Sequence, residues 1–249
     1  MNKTLRKRTE LRSYQRIFVN KIKRIPGLIL ALPMGAGKTV TTLTAILDLL
    51  DDEEVKKVLI VAPRLVAEAT WPDEIMDWEH TSLLTWTLVW ATDEDEDVIA
   101  ARKAAYETAR DLIGMTAKEA QRFAGKHSTL FKSWKRAKLA SRGKRWPYDM
   151  IVVDETSMFK NGRMRTAKKG ITRFGVAVKA RKYAKRVVLL TGTPAPKGLQ
   201  NLWGIAEVAD GGERLGSSKH WFLERWFTKD YMGWNWEPRP MRRARSWIA

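Results

Sequence analysis

The sequence contains no cysteine among its 249 residues. Disulfide bonds and metal sites built on thiolates are therefore excluded. It also lacks any apolar run near the roughly 20 residues that a membrane-spanning helix needs. The basic N-terminus, Met1 to Arg8, has no apolar stretch behind it and does not resemble a secretory signal. These absences make a soluble cytoplasmic protein the expectation.

Signals for a metal centre are also scarce. The three histidines, His80, His127 and His220, are scattered without metal-ligand spacing, and no role is assigned to them. The acidic run 93–97 is better explained as a solvated turn before a helix, because neighbouring carboxylates repel one another. Internal repeats and Gly/Ser-rich linkers are absent as well.

Basic residues dominate the charge. The chain has 46 Lys and Arg against 28 Asp and Glu, which gives a net charge of +18. An excess of this size attracts polyanions through counterion release. Nucleic acid is the favoured partner, with a ribosomal-like or membrane-surface protein as the alternative.

Short apolar runs, each followed by turn or helix-start signals, indicate the fold class. They cover residues 28–32, 58–62, 83–89, 150–153 and 187–190. Near-continuous β-branched runs suit strands that are buried on both faces of a parallel sheet. The helical stretches between them are typical of βαβ units. We predict an α/β fold with a mostly parallel β-sheet flanked by helices.

Two regions depart from this alternation. Residues 93–146 are polar and strand-poor, with apolar side chains at helical spacing, and this predicts a helical insertion. From Trp221 onward the chain is rich in tryptophan and arginine and contains no clear strand. This C-terminal part could stack bases, pack on the body or pack on a further lobe. The predicted division is a main domain at 1–210 and a C-terminal appendage at 211–249.

The clearest chemical signal is a loop between the first predicted strand and an apolar helix, with the residues Met34, Gly35, Ala36, Gly37, Lys38 and Thr39. This strand–loop–helix context is that of a phosphate-binding P-loop, whose glycines let backbone N–H groups close around phosphates. We predict that Lys38 reaches the β and γ phosphates and that Thr39 holds Mg²⁺. Leu32 stands where the strict pattern has its first glycine, so the loop is a variant.

An acidic pair and a small polar segment end two other predicted strands. Asp154 is expected to hold the metal, and Glu155 to polarise the attacking water as general base. A strand that merely ends in charged residues is the plainer alternative, but the P-loop favours the nucleotide interpretation. The small polar segment, Thr191, Gly192 and Thr193, could bond to the acidic pair and sense the γ-phosphate, although it is also typical of an ordinary turn.

In order and spacing these motifs resemble the first RecA-like lobe of a superfamily-two helicase. The match is closest to the Swi–Snf type of double-stranded DNA translocase and its phage relatives, and it covers roughly residues 11–208. Residues 11–15 resemble the adenine-reading segment, which implies that Gln15 contacts the base. Residues 34–39 resemble motif I, 154–161 motif II, and 191–203 motif III with its leucine-tryptophan continuation.

The resemblance also implies contacts to nucleic acid. The segment with Pro63 and Arg64, followed by Trp71 and Glu74, resembles motif Ia, which touches the nucleic-acid backbone. Lys160 and Asn161 match the Lys-Asn pair that trails motif II. Basic residues continue after this pair, and ligand loops lie at the carboxyl ends of parallel strands. Phosphate-backbone contact is therefore favoured over a solvated face for the cluster Lys160, Arg163, Arg165, Lys168 and Lys169.

Three departures from the family pattern qualify these expectations. Motif II ends in Thr156 and Ser157 rather than Ala-His or Ala-Asp, so its coupling to motif III is expected to differ. The stretch 126–134 does not look like the strand that the family usually has before motif II. The sequence reaches Ala249 before any second lobe, and that lobe carries the family's arginine finger, which is worth on the order of 10³–10⁵ in rate.

The prediction is the first motor lobe of an ATP-dependent DNA helicase or translocase, with ATP and Mg²⁺ as cofactors. The expected partners are DNA, with duplex favoured, and a second RecA-like lobe in trans or in a longer parent chain. If the chain is phage-encoded, its compartment would be the cytoplasm of a bacterial host. One alternative is an ATP-gated DNA-binding module without turnover of its own. Another is a phage DNA-packaging ATPase, although residues 14–15 and 191–203 argue for the helicase.

Overall fold

The computed structural model describes residues 4–63, 65–82, 84, 86, 148–159, 162–166, 170–195, 198–232 and 235–239. The predicted helical insertion at 93–146, which includes the stretch 126–134, lies entirely outside these residues. Most of the predicted strand at 83–89 is outside them too, and its two described residues, Leu84 and Trp86, have no regular structure.

The strands are β1 (Gly27–Ala31), β2 (Val58–Val61), β3 (Met150–Asp154), β4 (Arg165–Thr166), β5 (Gly170–Ile171), β6 (Arg186–Thr191), β7 (Phe227–Lys229) and β8 (Trp236–Pro238). The helices are α1 (Ser13–Arg24), α2 (Lys38–Asp51), α3 (Trp71–Asp77), α4 (Arg173–Arg181), α5 (Leu202–Asp210) and α6 (Lys219–Trp226). Short 3₁₀ turns lie at Arg8–Glu10, Thr156–Phe159 and Leu199–Asn201, and a π turn at Val66–Thr70 precedes α3.

Four parallel strands form the central sheet, in the order β1-β6-β3-β2. The predicted α/β fold with a mostly parallel sheet is therefore confirmed. β3 and β6 occupy the middle of the sheet and are almost entirely buried. Strands covered on both faces need apolar side chains at successive positions, which accounts for the unbroken apolar runs in the sequence.

Alternate residues of the central strands enter two separate cores. Ile151, Val153, Val187 and Leu189 pack against α4 and α5 on one face. Met150, Val152, Val188 and Leu190 pack against α1, α2 and α3 on the other. Each face of the sheet is thus sealed by helices, and the ends of the strands are left for binding.

The C-terminal part contains regular structure that the sequence did not predict. β7 and β8 form a short antiparallel pair, although no clear strand was expected from Trp221 onward. Strands of three residues are too short to show a periodic pattern. Phe222 and Phe227 join the same core as Ile205 and Val208 of α5. The proposed boundary at residue 210 stays a prediction. Within the described ranges, no helix combines the length and apolar character needed to cross a membrane.

Candidate nucleotide site at the carboxyl edge of the sheet

The three predicted nucleotide motifs follow the carboxyl ends of β1, β3 and β6. Because these strands are parallel neighbours, their carboxyl ends lie at one edge of the sheet. Ala31 pairs with Thr191, and Asp154 pairs with Leu190. Beyond the last pair, the N–H of Leu32 donates to the carbonyl of Thr191 over 3.1 Å. The fold therefore brings the P-loop and the segment 191–193 together, with the acidic pair on the adjoining strand.

Two glycines of the P-loop adopt left-handed backbone angles, with φ of +75° at Gly35 and +72° at Gly37. A Cβ at Gly37 would lie 2.2 Å from Nε2 of Gln15, whereas one at Gly35 would meet nothing within 4 Å. Gly37 therefore allows a close approach that a side chain would block. It is also the N-cap of α2, and no side chain of the described residues caps that end. The first N–H groups of α2 are accordingly suited to an anion.

Lys38 is the first residue of α2, and its ammonium group is held by the loop itself. Nζ donates to the carbonyls of Leu32 and Pro33, over 2.9 Å in each case. An ammonium has three donors, so these two bonds leave one for a phosphate oxygen. Thr39 follows as the second residue of the helix, and Met34, at 92% exposure, projects from the loop.

Gln15, predicted to contact adenine, has partners inside the protein. It is 6% exposed; its Oε1 accepts from the N–H of Arg12 over 2.8 Å, and its Nε2 donates to the carbonyl of Ala36 over 3.3 Å. The hydroxyl of Tyr14 donates to the same carbonyl over 3.0 Å. Tyr14 and Gln15 of α1 thus both bind the P-loop at the carbonyl oxygen of Ala36. The contact of Gln15 with the base stays a prediction.

Asp154 ends β3 and is partly buried. Its Oδ2 accepts from the indole N–H of Trp71 over 3.2 Å. Burial raises the pKa of Asp154, while the Trp71 bond, the charge of Lys38 and the backbone N–H of Glu155 act in the opposite direction. The sequence did not indicate that Trp71 reaches this site, since the motif resemblance assigned it only to the nucleic-acid segment.

Glu155 has an unusual backbone for a residue with a side chain. Its φ is +68°, in the left-handed region, and its Oε1 accepts from the N–H of Ser157 over 3.2 Å. Such a conformation costs on the order of 1–3 kcal/mol and is found most often at functional sites. The strained residue coincides with the predicted general base.

The segment after β6 has its own internal bond. Oγ1 of Thr191 accepts from the N–H of Thr193 over 3.1 Å. Among the described residues, no side-chain hydrogen bond joins Thr191, Gly192 or Thr193 to Asp154 or Glu155. Oγ1 of Thr156 is fully buried and finds no hydrogen-bond partner among those residues. The coupling role of 191–193 stays a prediction.

The predicted nucleic-acid residues are only partly described. Arg64, Lys160 and Asn161 lie outside the described residues, as do Lys168 and Lys169. Pro63 follows β2, and Arg165 begins β4. Arg163 is exposed. Lys219 lies beside Gly162, with its Cδ 3.7 Å from the position of a Cβ there, and burial and the charge of Arg163 lower the pKa of Lys219. The sequence pattern did not indicate this cation.

The residues present fit Mg²⁺ held together with a phosphate ligand. In the described part of the chain, no group of three or more His, Cys, Asp or Glu could hold a metal ion alone. Mg²⁺ is normally bound by one or two protein oxygen ligands together with substrate phosphates and water. Asp154 and Thr39 supply a carboxylate and a hydroxyl, which are oxygen ligands of that kind.

Comparison with known proteins agrees with this architecture. The model of the SNF2-related domain matches residues 12–243. "Putative protein p41" of Acyrthosiphon pisum secondary endosymbiont phage 1 is 35% identical over 219 residues, which are 88% of this chain and 43% of that protein. "Probable ATP-dependent DNA helicase CHR12" of Arabidopsis thaliana is 30% identical over 208 residues, covering 79% of this chain and 16% of that protein. The chain thus spans less than half the length of these relatives.

A human and an archaeal protein extend the comparison. The human "DNA excision repair protein ERCC-6-like" is 26% identical over 198 residues, covering 80% of this chain and 14% of that protein. Among solved structures, the Sulfolobus solfataricus SWI2/SNF2 ATPase core in complex with dsDNA has a TM-score of 0.54 and 22% identity, over 87% of this chain and 39% of that one. This likeness shows a shared fold. The predicted resemblance to a Swi–Snf-type lobe is confirmed.

Proposed function

Because the chain belongs to the SNF2-related domain family and is an N-terminal lobe of the Swi–Snf helicase type, we propose that it binds ATP with Mg²⁺ and acts on DNA as a translocase motor. The nucleotide would lie at the carboxyl edge of the sheet. Lys38, Thr39, Asp154 and Glu155 would carry the reaction, with the P-loop backbone around the phosphates.

One observation carries the nucleotide part of this proposal. The P-loop follows β1 and the acidic pair follows β3, and β6 lies between these two strands. Because the three strands are parallel, Lys38 and Asp154 both lie at the carboxyl edge of the sheet, and the charge of Lys38 opposes the effect of burial, which raises the pKa of Asp154. This supports the placement of a phosphate-binding cation and a metal-binding carboxylate in one site, which is the arrangement that phosphoryl transfer needs.

Each residue has a distinct task in the proposed hydrolysis. Lys38 and the N-terminus of α2 would bind the β and γ phosphates. Thr39 and Asp154 would hold Mg²⁺, which supplies positive charge against the phosphate oxygens. Glu155 would accept the proton of the water that attacks the γ-phosphorus as the bond to ADP breaks.

DNA is the proposed polyanionic partner, with duplex favoured. The +18 net charge supports a polyanion in general. Arg163 and Lys219 supply cations in the region that follows motif II. The relatives whose names refer to DNA repair and to a DNA helicase, together with the Sulfolobus core solved on dsDNA, support DNA specifically.

A second RecA-like lobe is the other proposed partner, in trans or in a longer parent chain. The charge that develops on the γ-phosphate needs stabilisation from more than one side, and an arginine finger commonly supplies it. This lobe alone is therefore proposed to turn over ATP slowly.

Nucleotide titration tests the site directly. Lys38→Ala removes a charge-assisted bond to phosphate, worth about 1.5–3 kcal/mol, so ATP–Mg affinity should fall about 10- to 100-fold. Lys56→Ala is the matched control, because Lys56 is an exposed lysine next to the opposite end of β2. Equal affinity of wild type and Lys38→Ala would overturn the assignment.

Salt dependence tests the DNA part. Duplex affinity should fall steeply with salt, with a log–log slope of about −0.9 for each phosphate contact. Arg163→Ala should weaken binding to all sequences alike and reduce the magnitude of the slope by about 1. Lys56→Ala again serves as control. A flat salt dependence of the wild type would rule out backbone contacts as the main source of affinity.

A further inference from the structure

Trp71 begins α3, after β2 and the π turn at Val66–Thr70. Its side chain is 4% exposed and packs in the core that contains Ile75, Met150 and Val152. A buried indole has one polar atom, and its N–H needs an acceptor. The acceptor of this N–H therefore indicates what role Trp71 has in addition to core packing.

That acceptor is Oδ2 of Asp154, at 3.2 Å. Trp78, at the end of α3, provides a contrast within the same segment. It is equally buried, but its N–H donates to Oε2 of Glu74 in its own helix, over 3.1 Å. Of these two tryptophans, only Trp71 bridges from α3 to the end of β3.

We propose that Trp71 is a positioning residue for the metal carboxylate, holding one oxygen of Asp154 so that the carboxylate presents a fixed face to Mg²⁺. The inference rests on the proposed role of Asp154 as the metal ligand. A carboxylate has two oxygens and about four lone-pair sites, so the indole bond leaves room for the ion and its water. Bonds from outside the metal's own ligands commonly account for 10- to 100-fold in metal affinity or activity.

The same bond joins two functions that the sequence assigned to separate motifs. Trp71 lies in the segment that starts at Pro63, which is proposed to touch the nucleic-acid backbone. The indole is rigid and packed against the core, so a displacement of α3 would be transmitted to Asp154. DNA contact at this segment would then alter the geometry of the metal carboxylate directly.

The test measures how strongly nucleotide binding depends on Mg²⁺. ATP affinity is determined with saturating Mg²⁺ and with EDTA, and the ratio of the two is compared between variants. Trp71→Phe keeps an aromatic ring and removes the N–H, so the ratio should fall about tenfold with little change in EDTA. Trp78→Phe, which loses an equally buried indole N–H bonded to a carboxylate, should leave the ratio unchanged. In the Asp154→Asn background, Trp71→Phe should have little further effect.

The outcomes separate this inference from the proposed function. A wild-type ratio near one would overturn the nucleotide–metal assignment itself. A Mg²⁺-dependent wild type whose ratio is matched by Trp71→Phe would overturn only the role of Trp71. Circular dichroism and thermal unfolding establish that each variant is folded.

A second measurement does not require the Trp71 variant to fold. The ¹⁵N–¹H spectrum of the wild type contains the indole N–H groups of twelve tryptophans. One indole resonance should shift on Asp154→Asn, and the same resonance should shift when Mg²⁺ is added to the ATP-bound wild type. If no indole resonance responds to both changes, the proposed bond does not serve the metal site.

Discussion

The two sides of the candidate nucleotide site are held in different ways. On the loop side, Tyr14 and Gln15 both donate to the carbonyl of Ala36, and Lys38 donates to loop carbonyls. On the carboxylate side, Asp154 ends a central strand and is held by Trp71, which lies in the core. The Lys38 ammonium keeps a third donor for a phosphate oxygen, whereas the carboxylate is held by an indole that is packed in the core.

This difference predicts which property each side controls. Changes on the loop side should act on nucleotide affinity, because the loop residues make bonds that compete with or support phosphate binding. Changes on the carboxylate side should act on the Mg²⁺ dependence of nucleotide binding, on the chemical step and on stability, because that side combines the proposed metal ligand with a strained residue and a partly buried charge. Three substitutions examine this contrast.

The largest effect is expected on the carboxylate side, from Glu155→Gln. Loss of the general base should lower ATP turnover about 10²- to 10⁴-fold while ATP affinity stays within a few-fold. Steady-state turnover with and without duplex DNA measures the first quantity, and nucleotide titration the second. Turnover of this lobe assayed by itself should be slow, because the stabilising arginine is proposed to come from a second RecA-like lobe.

Two results would contradict this expectation. Fast, DNA-stimulated turnover of the wild type that Glu155→Gln abolishes would show that an arginine acts in cis or from a neighbouring molecule. Turnover that is equally low in wild type and variant, with intact ATP binding, would favour the ATP-gated DNA-binding module instead.

A smaller effect on stability is expected from Asp154→Asn. Burial raises the pKa of Asp154 above its ordinary value of 3.8, so the folded chain holds this proton more tightly than the unfolded chain. Stability therefore decreases as pH rises through the interval between the two values, and at pH 7 the charged carboxylate is a cost to folding. Removing the charge should stabilise the protein on the order of 1 kcal/mol, or about 2–4 °C in Tm.

Thermal unfolding at pH 7 in EDTA measures this gain. Asp73→Asn is the control, because Asp73 is an exposed aspartate of α3 and should give no comparable increase. A lower Tm for Asp154→Asn would mean that the bond from Trp71 outweighs the burial of the charge. The carboxylate would then be retained for folding as well as for metal binding.

The smallest effect is expected on the loop side, from Tyr14→Phe. This change removes one hydrogen bond to the carbonyl of Ala36 while Gln15 keeps the other. A net loss of about 0.5–1.5 kcal/mol would weaken ATP binding roughly 2- to 10-fold and leave turnover at saturation unchanged. Tyr231→Phe, at a fully exposed tyrosine, is the control. If Tyr14→Phe lowered ATP turnover instead of ATP affinity, the proposed difference between the two sides of the site would be wrong.

The parts of the site that the sequence predicted are those with a local pattern. The P-loop and the acidic pair each follow an apolar run directly, so strand ends and functional residues are found together. The bond between Trp71 and Asp154 has no local signal, since the two residues lie 83 positions apart in the sequence. The internal partners of Gln15 depend in the same way on how α1 packs against the P-loop.

Some backbone conformations also could not be predicted from the sequence pattern. Positions with left-handed backbone angles are usually occupied by glycine, asparagine or aspartate, which makes them recognisable in a sequence. Gly35 and Gly37 gave that signal, but Glu155 did not. The three-residue strands β7 and β8 were missed because alternation cannot be recognised over so few positions.

The place of β6 in the sheet has a consequence for how the protein is made. β6 lies between β1 and β3, and it pairs Gly27 with Val187 across most of the chain. During synthesis β1, β2 and β3 leave the ribosome first, but the partner of β1 among the described strands, β6, follows only later. Such distant parallel pairing is slow and leaves apolar strand surface exposed in the meantime. The edge of the sheet that is proposed to bind nucleotide can therefore assemble only after Thr191 has emerged.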